Sequence, residues 1–378
     1  MSRALRLLTV DLAPSQRDIA AIAAILDSPD HAIIPLHGSA EAAHRALRVE
    51  LEEPLPEYAE PTVLAVATTG STGRPKLVLH GESSLRASVG ATAVRMGGHG
   101  QWLLALSLPH IAGIQVVLRS AVAGEDVVTV GPGDEFDAGF AAAVGRMTGQ
   151  RRYTSLVPTQ LHRLVSSEVG REALGELDAV LLGGAAAEPA LVDEARSLGV
   201  DVLTTYGMSE TAGGCVYDGV PLDGVDVAIE DGVVVLRGPV VAQGYRTPLP
   251  DDPFRDGGFV TSDLGEIVDG RLRVLGRADD IIVTGGKKVA PPRVESALRG
   301  LRDVADAVVV GVPDPEWGER VAALVVGRPR EIDALRDELR GALEGYELPR
   351  EVRFVDALPL KGIGKPDRQA ARALLIGQ

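Results

Sequence analysis

Residues 63–76 read VLAVATTGSTGRPK. An apolar run, Val63-Leu64-Ala65-Val66-Ala67, is followed at once by Thr68, Thr69, Gly70, Ser71, Thr72 and Gly73, and then by Lys76. Gly70 and Gly73 permit the backbone angles that let neighbouring N–H groups converge on an anion. The hydroxyls add donors, and Lys76 adds a mobile positive charge. The segment therefore reads as a phosphate-holding loop. It is not a Walker A loop, which needs GxxxxGK[ST], whereas Arg74-Pro75 follow the second glycine here. An ordinary Gly/Thr connection between two elements has the same composition, so the rest of the chain must decide.

The chain has 378 residues, 45% of them hydrophobic, enough for a large core and for one large and one small domain. Its formal charge is 38 − 53 = −15, with acidic residues scattered along the chain. Such a surface opposes nucleic acid or anionic membrane as the main partner, while leaving room for a local basic pocket. Cys215 is the only cysteine, so no internal disulfide forms. The opening stretch, MSRALRLLTVDLAPS, lacks an apolar run long enough for a signal peptide, and no segment reaches the roughly 20 apolar residues of a membrane span. The expected location is cytoplasmic.

Working outward, Leu103–Leu108, Asp126–Val130, Tyr153–Val157 and Ala179–Leu182 read as buried strands. Ala138–Met147, Gln160–Val165 and Pro189–Leu198 read as helices between them. Strand and helix in turn predict an α/β layer with a largely parallel sheet. From about Val225 the pattern becomes two hairpins, each with an Asp-Gly pair (Asp231-Gly232 and Asp269-Gly270) between alternating apolar residues. After GRADD at 276–280 it changes again, to a helix over Arg293–Leu301, strands over Ala307–Val312 and Val321–Val326, and an amphipathic helix over Glu331–Leu343. A compact α+β domain of about 100 residues fits this end, with the boundary inside 276–281.

Four further stretches carry chemistry. YGMSET (206–211) follows an expected strand over Asp201–Thr205 and offers the ring of Tyr206, the hydroxyl of Ser209 and the hard carboxylate of Glu210, suited to Mg²⁺. In TSDLGEI (261–267), Asp263 sits where a carboxylate can accept from a ribose diol, although turn aspartates are commonly structural. GRADDIIVTGGKKVAPPRVE (276–295) joins a charged cluster to Gly285-Gly286. LPLKGIGKPDR (358–368) presents Lys365 between a glycine and a proline. Each alone has an ordinary reading.

In this order the motifs resemble the acyl-adenylate-forming superfamily, from about residue 60 to the C-terminus, with PDPEWGERV (313–321) adding a stretch similar to that family's small domain. The resemblance implies a large N-terminal α/β domain (1–278), with parallel sheets and a small antiparallel β subdomain, and a mobile α+β C-terminal domain (279–378). It implies ATP, Mg²⁺ and coenzyme A as reactants and cofactor. By matching motifs, the loop 68–76 embraces the β- and γ-phosphates, Tyr206 packs on adenine, Ser209 contacts phosphate and Glu210 holds Mg²⁺. Asp263 binds the ribose hydroxyls with Arg277 nearby, and Lys365 bridges the carboxylate and α-phosphate. Asp279 is the hinge, and Gly285-Gly286 line the pantetheine tunnel.

The acid is less readable. LSLPHIAGIQVVLRS (106–120) matches a family segment carrying a His or aromatic gate, so His110 is the candidate acyl wall and catalytic-site histidine; Gly183-Gly184 match a glycine pair passing close to the acyl group and adenine. PHIAGIQVVLRS and RRYTSLVPTQL, together with the short region before residue 68, resemble the short, actinobacterial-type o-succinylbenzoate–CoA ligases of menaquinone biosynthesis. Such a substrate has a second carboxylate to be held without activation. Arg119 is the candidate anchor, with Arg95 and Arg151-Arg152 as rivals. Two departures stand out: Thr69 replaces a usual Ser, and Arg293 a usual Glu, while Glu295 is kept. Another aryl- or acyl-CoA ligase, a stand-alone adenylation domain, or a non-catalytic nucleotide- or acyl-binding sensor are the competing readings; homo-oligomerisation is left open.

Overall fold

The computed structural model describes residues 5–11, 13–27, 32–38, 47, 55–69, 75–131, 135–361 and 365–377, with backbone only at Thr69, Pro75, Lys361 and Lys365. Gly70, Ser71, Thr72 and Gly73 lie outside the described residues. The chain divides into two compact units. One comprises Met1–Ala228, Val235–Val260 and Asp269–Leu272; the other comprises Ile229–Val234, Thr261–Val268 and Arg273–Gln378.

In the first unit, the strands Leu5–Val10, Ala32–His37 and Thr62–Thr69 run parallel in that order. Pro75–Gly81 returns antiparallel to Thr62–Thr69, with Thr68 opposite Lys76, and the short strand Gly244–Tyr245 pairs with Leu79 and Val78. The apolar run at 63–66 is buried on both faces, Leu64 and Val66 toward one core and Ala65 toward another. That explains a continuous hydrophobic run where a one-sided strand would alternate.

A second sheet orders Val220–Pro221, Gly213–Tyr217, Asp201–Met208, Ala179–Leu182, Arg152–Leu156, Gln101–Leu104 and Val128–Thr129. From Asp201–Met208 onward all neighbours are parallel. Successive side chains point to opposite faces: Val180 and Val202 join one core with Phe140, Leu161 and Leu164, whereas Leu181 and Leu203 join the other with Ile114 and Val117. The expected α/β layer is thus present. The strand expected over Leu103–Leu108 is instead Gln101–Leu104, because the chain turns at Leu108-Pro109 into the helix Ile111–Ala123.

Both expected hairpins form, Asp226–Glu230 with Val233–Arg237 and Gly258–Val268 with Arg271–Arg277. Asp231, Gly232, Asp269 and Gly270 all have positive φ, the signature of the type I′ turn that suits strand twist. Asp218-Gly219 and Asp256-Gly257 make two further turns of this kind that the sequence reading did not single out.

In the second unit, Val304–Asp314 and Gly318–Gly327 form a long antiparallel pair, with Glu351–Val355 parallel to the latter. The helices Pro291–Arg299 and Arg368–Ile376 pack against Val304–Asp314. The helix expected to reach Leu343 ends at Leu339, just before Arg340-Gly341. No helix among the described residues is long and apolar enough to cross a membrane.

Candidate active site

The first unit gathers several candidate residues at the C-terminal ends of parallel strands, where open α/β sheets bind ligands. Tyr206 lies near the end of Asp201–Met208, and Ser209, Glu210 and Thr211 follow in a single 3₁₀ turn. The Thr211 hydroxyl accepts from the Met208 N–H at 3.0 Å and lies 2.8 Å from the Gly213 carbonyl, clamping the turn. Ala212 then takes φ 51°, a left-handed conformation uncommon outside glycine. Gly183 follows the strand Ala179–Leu182; a Cβ there would stand 2.3 Å from the Thr205 hydroxyl, so only glycine fits.

The strand Gly244–Tyr245 and the loop before it supply what holds Glu210. The Ala242 N–H donates to the Glu210 carbonyl at 2.9 Å, and the Tyr245 hydroxyl donates to Glu210 Oε1 at 2.7 Å. Lys76 Nζ sits over the Tyr245 ring, 5.1 Å from its centroid. His80, on the same face of Pro75–Gly81 as Lys76, is wholly buried. Its Nε2–H donates to the Ser209 carbonyl at 2.7 Å, so Nδ1 is left to accept from Ser84 Oγ at 3.0 Å. Burial pushes the His80 pKa down to about 4. Neither His80 nor Tyr245 was identified from sequence. The spacing Lys76-x-Val78-x-His80 puts both polar groups on one strand face and was the available signal for His80; nothing near residues 206–211 points to Tyr245.

His110, the candidate acyl-wall residue, is exposed and stands at the N-cap of the helix Ile111–Ala123. Further along it, Arg119 is only 5% exposed, with its guanidinium 4.8 Å from the Trp102 ring centroid. It donates to Thr92 Oγ1 at 3.3 Å and the Tyr217 hydroxyl at 3.5 Å, while its buried Nε has no partner among the described residues. No carboxylate pairs with it among the described residues, and burial lowers its pKa. A cavity of about 10 Å³, room for roughly one water, adjoins it between Thr92, His99 and Trp102. The rivals are engaged or exposed: Arg95 donates to the Tyr217 carbonyl, Arg152 pairs with Glu176, and Arg151 is exposed. Gln115, one turn before Arg119, is fully buried, and neither amide atom is hydrogen-bonded among the described residues.

In the second unit, Asp263 lies within Gly258–Val268, its N–H donating to Thr261 Oγ1 at 2.9 Å. Arg277 pairs with Asp279 at 3.3 Å, in the short turn Ala278–Asp280. Gly285 and Gly286, both at positive φ, turn a hairpin, and a Cβ on Gly285 would stand 2.6 Å from the Trp317 ring. The Lys365 backbone pairs with Lys361; its side chain lies outside the described atoms. Just beyond, Arg368 joins Asp280 at 3.1 Å and Glu295 at 2.5 Å. The retained Glu295 thus has its cation, and Arg293 pairs instead with Glu347 at 3.0 Å.

Among the described residues no cluster of three or more His, Cys, Asp or Glu could cage a metal. One half-buried carboxylate, Glu210, suits Mg²⁺, which keeps waters and substrate phosphates and takes only one or two protein carboxylates.

Strand-end turns, a lone metal-type carboxylate and a lysine behind a Gly-rich loop define a nucleotide-binding α/β protein. The chain belongs to the AMP-binding enzyme family, whose profile matches residues 6–246; that of the AMP-binding enzyme C-terminal domain matches 293–365. It is 42% identical over 368 residues to a probable 2-succinylbenzoate–CoA ligase from Mycobacterium tuberculosis, covering 95% of each chain. It is 33% identical to a feruloyl-CoA synthase from an Amycolatopsis species, covering 90% of this chain and 77% of that one. Among solved structures, o-succinylbenzoate CoA synthetase from Bacillus subtilis with the acyl-adenylate OSB-AMP superposes with TM-score 0.82 at 24% identity, over 98% of this chain and 88% of that one. At that identity the likeness establishes the fold.

Proposed function

We propose that this chain is an AMP-forming acid–CoA ligase that converts o-succinylbenzoate to its CoA thioester through an acyl-adenylate. The substrate carboxylate attacks the α-phosphorus of ATP and pyrophosphate leaves; the CoA thiolate then attacks the acyl carbon and AMP leaves. The ligase class rests on the family and on its 42% identical relative. The observation that carries the acid is Arg119, a buried guanidinium with no carboxylate of its own among the described residues. Burying an unpaired charge is unfavourable, and a second substrate carboxylate would supply the missing partner.

The roles follow from the chemistry. Negative charge grows on phosphate oxygens during adenylation, so the site needs fixed donors and cations there. Residues 68–76 would hold the β- and γ-phosphates, Ser209 would contact phosphate and Lys365 would bridge carboxylate and α-phosphate. Mg²⁺ held by Glu210 would neutralise phosphate charge. Tyr206 and Gly184 would border adenine, Asp263 and Arg277 the ribose, and His110 and Gly183 the acyl group. Asp279 would be the hinge between domains 1–278 and 279–378, with Gly285-Gly286 lining the path of CoA in the second half-reaction.

A pyrophosphate-release assay over a panel of acids, with and without CoA, tests this reading. Release with o-succinylbenzoate above simple benzoates, cinnamates and fatty acids is expected. Release confined to a feruloyl-type acid would move the chain to another aryl-CoA ligase, and none with any acid would leave a binding sensor. Lys365→Ala should abolish pyrophosphate release yet spare thioester formation from pre-made acyl-AMP; equal loss of both would remove Lys365 from its role.

A further inference from the structure

We propose that Tyr245 is a positioning residue that holds the Glu210 carboxylate and the Lys76 ammonium apart and in register before ATP binds. Three observations carry it. The Tyr245 hydroxyl donates to Glu210 Oε1 at 2.7 Å, and Lys76 Nζ lies 5.1 Å from the centroid of the same ring. The ring itself is immobilised: Tyr245 is 8% exposed, packs edge-on against Phe254 at 5.2 Å and sits in a strand paired with Val78, two residues from Lys76. Among the described residues, no ion pair joins Lys76 to Glu210.

The third point matters most. A lysine and a glutamate that meet the same tyrosine would ordinarily collapse into a direct pair. Such a pair would neutralise the cation meant for phosphate and occupy the carboxylate oxygens meant for the metal. A phenol placed between them prevents this. Its hydroxyl takes one lone pair of Glu210 without cancelling the charge, leaving the other oxygen for Mg²⁺. Its ring face attracts the ammonium while leaving the N–H donors free for phosphate. The arrangement also couples two stretches far apart in sequence, because the strand carrying Tyr245 pairs directly with the strand carrying Lys76. This inference rests on the proposed roles of Glu210 and Lys76, and its test separates the two failures.

Tyr245→Phe keeps the ring, the Phe254 packing and the Lys76 contact, and removes only the hydroxyl. The readout is MgATP binding by calorimetry across a Mg²⁺ titration, alongside the Mg²⁺ dependence of pyrophosphate release. Tyr245→Phe should raise the Mg²⁺ concentration needed for half-maximal ATP binding about tenfold, the size of a hydrogen bond to a charged group. ATP affinity at saturating Mg²⁺, and thioester formation from pre-made acyl-AMP, should stay near wild type. Tyr245→Leu should also weaken ATP binding at saturating Mg²⁺, because Lys76 loses its platform. Glu210→Gln should raise the Mg²⁺ requirement further, and adding Tyr245→Phe to it should change nothing more. An unchanged Mg²⁺ requirement in Tyr245→Phe, with Glu210→Gln affected, overturns the role of Tyr245 alone. An unchanged requirement in Glu210→Gln overturns the metal assignment beneath it. Additive effects in the double variant would mean that the hydroxyl does not act through Glu210.

Discussion

The Glu210 turn and the Arg119 helix treat polar groups in opposite ways. Around Glu210 the groups are paired: one carboxylate oxygen with Tyr245, the Glu210 carbonyl with Ala242, the Ser209 carbonyl with His80, and the Met208 N–H with Thr211. On the helix Ile111–Ala123, the Arg119 Nε and both amide atoms of Gln115 are buried without partners among the described residues. A buried polar group left unmade costs about 1–3 kcal/mol. On the proposed assignment, the nucleotide end is therefore preorganised by the protein, whereas the acyl end is left incomplete. A ligand that completes it gains more than one meeting satisfied groups, which is a physical basis for selectivity.

The difference can be broken from either side, and the largest effect belongs to the nucleotide end. Glu210→Gln keeps the shape and an oxygen to accept from Tyr245 but removes the negative charge offered to Mg²⁺. Adenylation should fall about 10³-fold, the upper range for losing one charge-stabilising group, measured as pyrophosphate release at fixed Mg²⁺. Thermal unfolding without ligand should hardly move, because Glu210 is half-buried and remains hydrogen-bonded.

Arg119→Met should show the converse signature. The KM for o-succinylbenzoate should rise about 100-fold, for loss of a charged hydrogen-bonded contact, while benzoates lacking a second carboxylate keep their own KM. Chemical denaturation should show a gain of about 1–2 kcal/mol, because an uncompensated buried cation has been replaced by an apolar chain of similar reach. A loss of stability without substrate discrimination would make Arg119 purely structural.

These residues also show where sequence reading stops. The Asp-Gly hairpins and the strand–helix alternation were legible because turn chemistry and hydrophobic period are local. Ser209 and Glu210 were visible as a motif at a strand end. Tyr245 was not, because its meeting with Glu210 and Lys76 comes from a two-residue edge strand too short to leave a periodic signal. Arg119 stands among rivals in the sequence, and the structure adds that it is buried whereas Arg151 is exposed and Arg95 and Arg152 are half-buried. For an arginine, side-chain environment carries that distinction, and composition does not.

Acid should strike the two ends unequally. His80 is wholly buried with a pKa near 4, against about 6.5 when unfolded. The unfolded chain therefore binds a proton at His80 between these values while the folded chain does not, so the contribution to stability is intact above about 6.5 and shrinks as pH falls. By pH 5 the loss is roughly 2 kcal/mol, and below about 4 it levels off. Because His80 stays neutral in the folded protein over this range, its hydrogen bond to the Ser209 carbonyl, and ATP binding with it, should hold until pH falls toward about 4. His80→Gln should flatten the pH dependence of unfolding between 6.5 and 5; an unchanged slope would assign it to other groups.

The smallest effect sharpens the comparison most. Gln115→Leu removes two unsatisfied polar atoms at nearly constant volume, on the buried face shared with Arg119. If the amide is idle, the change should only stabilise, by about 1 kcal/mol, since replacing an orphaned buried amide with carbon removes its desolvation cost. If the acid completes it, the same gain in unfolding free energy should come with a several-fold rise in KM for o-succinylbenzoate and none for ATP. A rise in the KM for ATP instead would place Gln115 with the Glu210 turn, which it approaches where its Cγ would lie 3.5 Å from a Cβ on Gly213. The division between a completed nucleotide end and an open acyl end would then have to be redrawn one helical turn closer to Arg119.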